Sequence, residues 1–347
     1  MPHLFSPLTA RGLELRNRIV MPPMCMYTAS DDGRATAWHQ AHYQARAAGG
    51  AGLVIIEATA IEPRGRISPA DLGLWADEQV EPLTRIGELV RGEGAALCIQ
   101  LAHAGRKAWS ATEGYGPETP VAPSALRFDD GWQSPEELSV EQIDQTVGAW
   151  QAAAGRAQAA GMDAVEIHAA HGYLAHEFLS PVANRREDDY GGSLANRMRF
   201  LLRVTEAVRA VWPPAKPLLV RVSATDWVEG GLTPEEVVIL ARELKDRGVD
   251  LVHCSSGGMV PTSPPSIGPG YQVPFAEKVR REAGIATVAV GLITAPEQAD
   301  EIVRNGRADL VALGRELLRH PYWPLDAART LGQEISWPRQ YRRARLP

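Results

Sequence analysis

Three cysteines, Cys25, Cys98 and Cys254, are all this 347-residue chain has. They are too few and too scattered for a disulfide framework or a cysteine-based zinc site, and a reducing cytoplasm is the expected setting. Lysine is scarce too. Lys107, Lys216, Lys245 and Lys278 are the only ones, the other basic residues being arginine, so Schiff-base chemistry has few candidates. No apolar run approaches the ~20 residues of a membrane span. The N-terminal MPHLFSPLTARGLEL has no basic flank ahead of an apolar core, so no secretory signal is expected. Positive charge is not in excess: 36 basic residues stand against 42 acidic, a net charge of -6. That opposes a broad nucleic-acid surface, which works by displacing counterions from phosphates.

What the chain does have is a recurring short apolar run followed by a helical pattern. The runs are RIVM (18–21), LVIIEA (53–58), ALCIQL (96–101), AVEIHA (164–169), LLVRVS (218–223), DLVHCS (250–255), ATVAVG (286–291) and DLVALG (309–314). Each is rich in Val, Ile and Leu and bounded by Gly, Pro or polar residues, as a strand buried on both faces is. Between them lie helix signatures. Ser139 with Gln142 spells a capping box, and Thr233, Pro234 and Glu236 give a cap, a first-turn proline and a box partner. Thr294 with Glu297 predicts a third such start. Eight strands alternating with eight helical stretches predict a (β/α)8 TIM barrel with long βα loops, one domain over residues 1–347. A doubly wound sheet would place a Gly-rich dinucleotide turn after the first strand, and MPPMCMY stands there instead.

In a barrel, function gathers at the C-terminal ends of the strands. The first strand runs into PPMCMYT, where extended backbone would turn Cys25 and Tyr27 to one side. A buried Cys with a packing Tyr is the plain alternative. Cys98 reads as core. Gln100 and His103, on or beside the third strand, need hydrogen-bond partners, either internal or on a ligand. Lys107 follows the same strand end. Arg221 interrupts an apolar run, so it needs either a salt bridge within the barrel or an anionic cofactor above it. Gly291 and Gly314 end the seventh and eighth strands, where backbone N–H groups make the usual phosphate site of this barrel, and Arg315 adds a fixed cation. The loop from about 103 to 138 has the length of a lid or binding loop.

The fourth strand ends in VEIHAAHGYL. His168 and His171 allow three readings: a metal pair, two donors to a substrate, or two satisfied buried histidines. Residues three apart on a strand face opposite ways, so the pair converges only if the chain turns after His168, which Gly172 eases. The helical HExxH pattern of zinc enzymes is absent, and Glu166 and Glu177 complete no obvious ligand set. Two donors to one substrate oxygen is the preferred reading, with no metal.

The blocks PPMCMY, GLVIIEATA, GRISPADLG, IQLAHAGRKA, VAPSA, EIHAAHGYLAHEFLSPVANRREDDYGGSLANR, RVSATDW, GYQVPFAE and ADLVALGRELLR occur in order along nearly the whole chain. With them the chain resembles the old yellow enzyme family of flavin-dependent ene-reductases, in its bacterial branch with a cysteine beside the flavin. That resemblance implies non-covalent FMN, NADPH or NADH as reductant, and reduction of activated C=C bonds. It implies that Pro22, Pro23, Met24, Cys25, Ala58, Gln100, Arg221, Gly291, Gly314 and Arg315 contact FMN, the two glycines and Arg315 at its phosphate. His168 and His171 would bind the carbonyl or nitro oxygen of the alkene, Tyr173 would be the proton donor, Cys25 would tune the flavin, and Tyr27 and Lys107 would line the substrate pocket. It further implies a homodimer or homotetramer in which an arginine of the tail, 333–347, reaches a neighbouring site; Arg343 aligns best. A metal-dependent hydrolase on the same barrel, a flavin-dependent tRNA reductase and a non-catalytic flavin-binding protein are the competing classes.

Overall fold

The structure is a computed structural model that describes residues 3–109, 119–262 and 267–345. All eight apolar runs form strands: β1 (Ile19–Met21), β2 (Leu53–Ala60), β3 (Ala96–Ala102), β4 (Ala164–Ala169), β5 (Leu218–Ser223), β6 (Leu251–Ser255), β7 (Ala286–Val290) and β8 (Leu310–Ala312). They pair in parallel and close into an eight-stranded barrel, β8 beside β1 and β5 beside β6. Helices α1 (Ala37–Ala48), α2 (Val80–Gly92), α3 (Val140–Ala159), α4 (Leu194–Val211), α5 (Pro234–Asp246), α6 (Val273–Ala283), α7 (Pro296–Arg304) and α8 (Trp323–Thr330) follow the strands, with short helices Leu174–Leu179 and Gly314–Arg319 inserted before α4 and α8. This is a TIM barrel. No helix among the described residues is long and apolar enough to cross a membrane.

The strand alternation divides two cores. One parity, including Val54, Leu97, Val165, Val220, Val252 and Cys254, faces the helices. The other, including Leu53, Ile55, Cys98, Leu219, Leu251 and Val288, fills the barrel interior. An antiparallel hairpin, Leu8–Ala10 with Leu13–Leu15, brings Leu15 against this inner cluster. Two residues further along the strands the inward parity turns polar: Gln100 on β3, Glu166 and His168 on β4, Arg221 on β5, His253 and Ser255 on β6, all buried. The interior is therefore apolar below and hydrogen-bonding above, at the end where the βα loops emerge.

Helix starts follow the caps with one exception. Ser139 and Thr233 accept from the N3 backbone as expected. Thr294 does not cap α7; its N-cap is Ala295, with Pro296 opening the helix. The Thr294 carbonyl instead accepts from Trp323 Nε1 at 2.8 Å. Proline at the first turn needs no donor partner, so α7 starts without a side-chain cap.

Candidate active site

The polar layer at the top of the barrel is wired around one carboxylate. Gln100 Nε2 donates to Glu166 Oε1 at 2.7 Å, and His253 Nδ1 lies 2.8 Å from Glu166 Oε2. Arg221, on the next strand, has no ion pair among the described residues. Its contact with Pro23 O is long, 3.5 Å, and its buried Nε has no partner. Burial holds its pKa below the usual arginine value, with Glu166 the main opposing influence. A buried guanidinium with unspent donors is costly alone. The alternative of a barrel salt bridge therefore fails, and the donor set fits an electron-rich group above Arg221.

The turn after β4 brings His168 and His171 together. His171 sits at φ 61° and Gly172 at φ 74°, both left-handed. A Cβ on Gly172 would stand 2.1 Å from Gly258 O, so only glycine lets this turn meet the loop after β6. The rings of His168 and His171 lie 5.2 Å apart and edge-on, and Tyr173 lies 5.0 Å from His168. His168 Nδ1 accepts from Ala170 N at 3.2 Å, which leaves Nε2–H as the donor of the neutral ring. His171 Nε2 lies 2.7 Å from Ser255 Oγ. Burial first, and Arg221 next, hold both imidazoles well below the ordinary histidine pKa, so they are neutral donors at physiological pH. Burial, with Cys25 and Tyr27 behind it, pushes the Tyr173 phenol well above its usual value, so it keeps its proton.

Side chains that sequence reasoning missed hold this turn. Gly172 N donates to His176 Nδ1 at 2.9 Å, and His176 Nε2 lies 2.9 Å from Asp226 Oδ1. Lys107, expected on the pocket wall, reaches the same turn. Its ammonium donates to His171 O at 2.8 Å and Gly258 O at 3.1 Å, with the Tyr173 face 5.0 Å away. Lys107 thus ties two βα loops together, and burial lowers its pKa to about 8. His103 is satisfied internally, with Nε2 on Glu62 at 2.7 Å and Nδ1 accepting from Gly105 N.

Beyond β1 the chain leaves extended geometry. Pro22 and Pro23 are buried, Met24 and Cys25 half-buried, and Tyr27 is 56% exposed at φ 53°. The expected strand-like alternation of Cys25 and Tyr27 is therefore corrected: β1 ends at Met21, before either residue. The segment is anchored from behind by buried Glu57, which accepts from Met26 N at 2.9 Å and from Tyr43 Oη at 2.7 Å. Burial, then the carboxylates of Asp71 and Glu57, push the Cys25 thiol well above its ordinary pKa.

A cleft of about 180 Å³ opens beside Arg221 at the ends of β7 and β8, lined among others by Ser255, Gly291, Gly314, Arg315 and Arg319. Gly291 stands at φ 133°, a conformation for glycine alone. A Cβ on Gly314 would reach Met24 Sδ and Pro22 Cγ at 3.7 Å, so this cradle adjoins the segment after β1. Arg319 is paired with Glu316 at 2.6 Å, whereas Arg315 has no carboxylate partner among the described residues. Ala58 is buried next to Gln100 in register. Arg343, exposed in a 3-10 turn at Arg339–Ala344, is not among the residues lining the cleft. Residues 110–118 of the long loop after β3 lie outside the described residues. Among the described residues no cluster of three or more His, Cys, Asp or Glu is placed to hold a metal.

A family model described as NADH:flavin oxidoreductase / NADH oxidase matches residues 3–334. The chain is 54% identical over 341 residues to an NADPH dehydrogenase of Geobacillus thermodenitrificans, covering 98% of both chains. It is 54% identical over 345 residues to an NADPH dehydrogenase of Listeria innocua, covering 99% of both. Among solved structures, morphinone reductase superposes with a TM-score of 0.82 at 32% identity, over 97% of this chain and 91% of that one. The old yellow enzyme homologue of Zymomonas mobilis gives 0.81 at 30% identity, over 97% and 94%.

Proposed function

The chain belongs to the NADH:flavin oxidoreductase / NADH oxidase family and is an NAD(P)H-dependent flavin oxidoreductase, and from that premise we propose that it is an FMN-dependent ene-reductase. Its substrates in this reading are α,β-unsaturated carbonyl or nitro compounds. The observation that carries the proposal is the meeting of a neutral imidazole donor, His168, with a protonated phenol, Tyr173, beside a buried Arg221 that has no ion pair among the described residues.

When bound, FMN supplies a hydride for the β-carbon and is recharged by NADPH or NADH. Everything else falls to the side chains. Arg221, Gln100, Ala58 and the segment Pro22–Cys25 would hold the ring system, and Gly291, Gly314 and Arg315 the phosphate. Arg221 presents fixed positive charge where an electron-rich ring edge needs it, a charge-assisted contact of ~1.5–3 kcal/mol. His168 donates through Nε2 to the carbonyl or nitro oxygen and so stabilises enolate-like charge, an effect of ~2.7–4 kcal/mol for a donor of this kind. His171 assists from its place on Ser255. Tyr173 delivers the proton to the α-carbon, typically a ~10²–10⁴-fold contribution. Cys25, a thiol rather than a thiolate, touches ring and substrate without a covalent role, and Tyr27 borders the mouth. In this reading the enzyme works in the cytoplasm as a homodimer or homotetramer, with Arg343 of one tail reaching a neighbouring mouth. The exposure of Arg343 and its lack of a partner among the described residues support that assignment.

The test separates the two half-reactions. His168→Ala is expected to slow reoxidation of the reduced protein by an enone about 10²–10³-fold, while NADPH still reduces it at the wild-type rate. Unchanged enone kinetics in stopped flow remove His168 from the mechanism.

A further inference from the structure

The polar layer contains a carboxylate that the proposed chemistry does not use. Glu166 is fully buried on β4, opposite Gln100 in the β3–β4 register. Both of its oxygens are spent on neighbours, Oε1 on Gln100 Nε2 at 2.7 Å and Oε2 on His253 Nδ1 at 2.8 Å. It makes no ion pair with Arg221 among the described residues, although that arginine stands on the adjacent strand. The arrangement leaves Arg221 its donors and gives Glu166 a different task.

A carboxylate accepts hydrogen bonds and an amide NH2 donates them, so Glu166 dictates which end of the Gln100 amide faces it. The nitrogen is turned down to Oε1 of Glu166, and Gln100 Oε1 is turned away. Gln100 Oε1 accepts no hydrogen bond among the described residues. His253 locks the carboxylate from its other side. Burial and Arg221 hold that imidazole below its ordinary pKa, so it carries one proton. With that proton on Nδ1, any swing of Glu166 leaves a buried N–H unpaired, at a cost of ~1–3 kcal/mol.

We propose that Glu166 is a positioning residue, which holds the Gln100 amide with its oxygen presented to the cofactor, so that a ring N–H meets an acceptor. The proposal rests on the flavin reading given above. It makes a claim about coupling: the effect of Glu166 on cofactor binding runs chiefly through Gln100, its charge near Arg221 being the lesser route.

A double-mutant cycle on FMN affinity tests this, read by quenching of FMN fluorescence as apoprotein is reconstituted. Glu166→Gln permits the Gln100 amide to flip and is expected to weaken FMN binding about tenfold, the size of one misdirected buried hydrogen bond. In a Gln100→Ala background the same substitution is expected to change FMN affinity less than twofold. Equal losses in both backgrounds overturn the proposal and leave Glu166 a structural residue. A wild-type protein that binds no FMN sinks the flavin reading itself, which distinguishes that failure from this one. Should Glu166→Gln not fold, the wild-type apoprotein carries the test: with 15N-labelled glutamine, assigned through Gln100→Ala, the Gln100 side-chain amide should be protected from hydrogen exchange. Exchange at the rate of an exposed amide overturns the proposal.

Discussion

Cys25 shows how burial and nearby charge together decide what a side chain can do. Burial, with the carboxylates of Asp71 and Glu57 behind it, holds the thiol above its usual range. The reactive form of cysteine is the thiolate. Alkylation of Cys25 by iodoacetamide is therefore expected to stay slow through pH 9 and to accelerate only beyond it; an inflection below pH 8, followed by mass spectrometry, contradicts this environment. Gln100 and Arg221 were legible in the sequence as polar groups on buried strands, because burial makes each one ask for a partner. What their partners are was not legible. Glu166 shares the inward parity of His168, two residues on, and that spacing is the signal that could have found it. The partners of Lys107 were not legible for a related reason: they are the carbonyls of His171 and Gly258, and main-chain acceptors leave no trace in side-chain identity.

At the scale of elements, the site depends on one backbone contact. The turn carrying His171 and Tyr173 meets the loop after β6 through Gly172 and Gly258, each so close that a Cβ would collide with the other loop. Gly172→Ala adds both that collision and a left-handed alanine, a backbone strain of about 1–3 kcal/mol. The variant is expected to lose at least that much stability in urea unfolding and to lose enone reduction more severely than NADPH oxidation. Wild-type stability and kinetics would show that the two loops are not mutually braced. The strands themselves were legible because each is covered on both faces and reads as a continuous apolar run. The α7 start was not, since Pro296 opens the helix without help and Thr294 serves Trp323 instead. The segment after β1 was misjudged as extended because nothing in PPMCMY announces the positive φ of Tyr27.

At the scale of the whole molecule, the barrel buries titratable groups at its top and its stability should register them. Glu177 is buried beside Arg106, and burial raises its carboxyl from 4.5 to about 8. Between those values the unfolded chain releases a proton that the folded chain keeps, so this group lowers stability as pH rises across the window. Glu177→Gln is expected to leave the melting temperature little changed near pH 4.5 and to raise it by about 2–4 °C at pH 8; an equal shift at both pH values by calorimetry would deny the buried proton. The closed barrel, the strand ends and the family were all legible in the sequence, because alternation, burial and block order are long-range patterns. The wiring beneath the site was not, because it depends on which strands become neighbours when the barrel closes.

The central claim is that one pocket takes reducing equivalents from NADPH and passes them to an activated alkene. An anaerobic absorbance titration tests it directly, with NADPH added first and cyclohexenone second. The account predicts an oxidised flavin spectrum that bleaches with NADPH and returns in full with cyclohexenone. A colourless protein that cannot be reconstituted with FMN, or a bleached spectrum that cyclohexenone leaves unchanged, would contradict it.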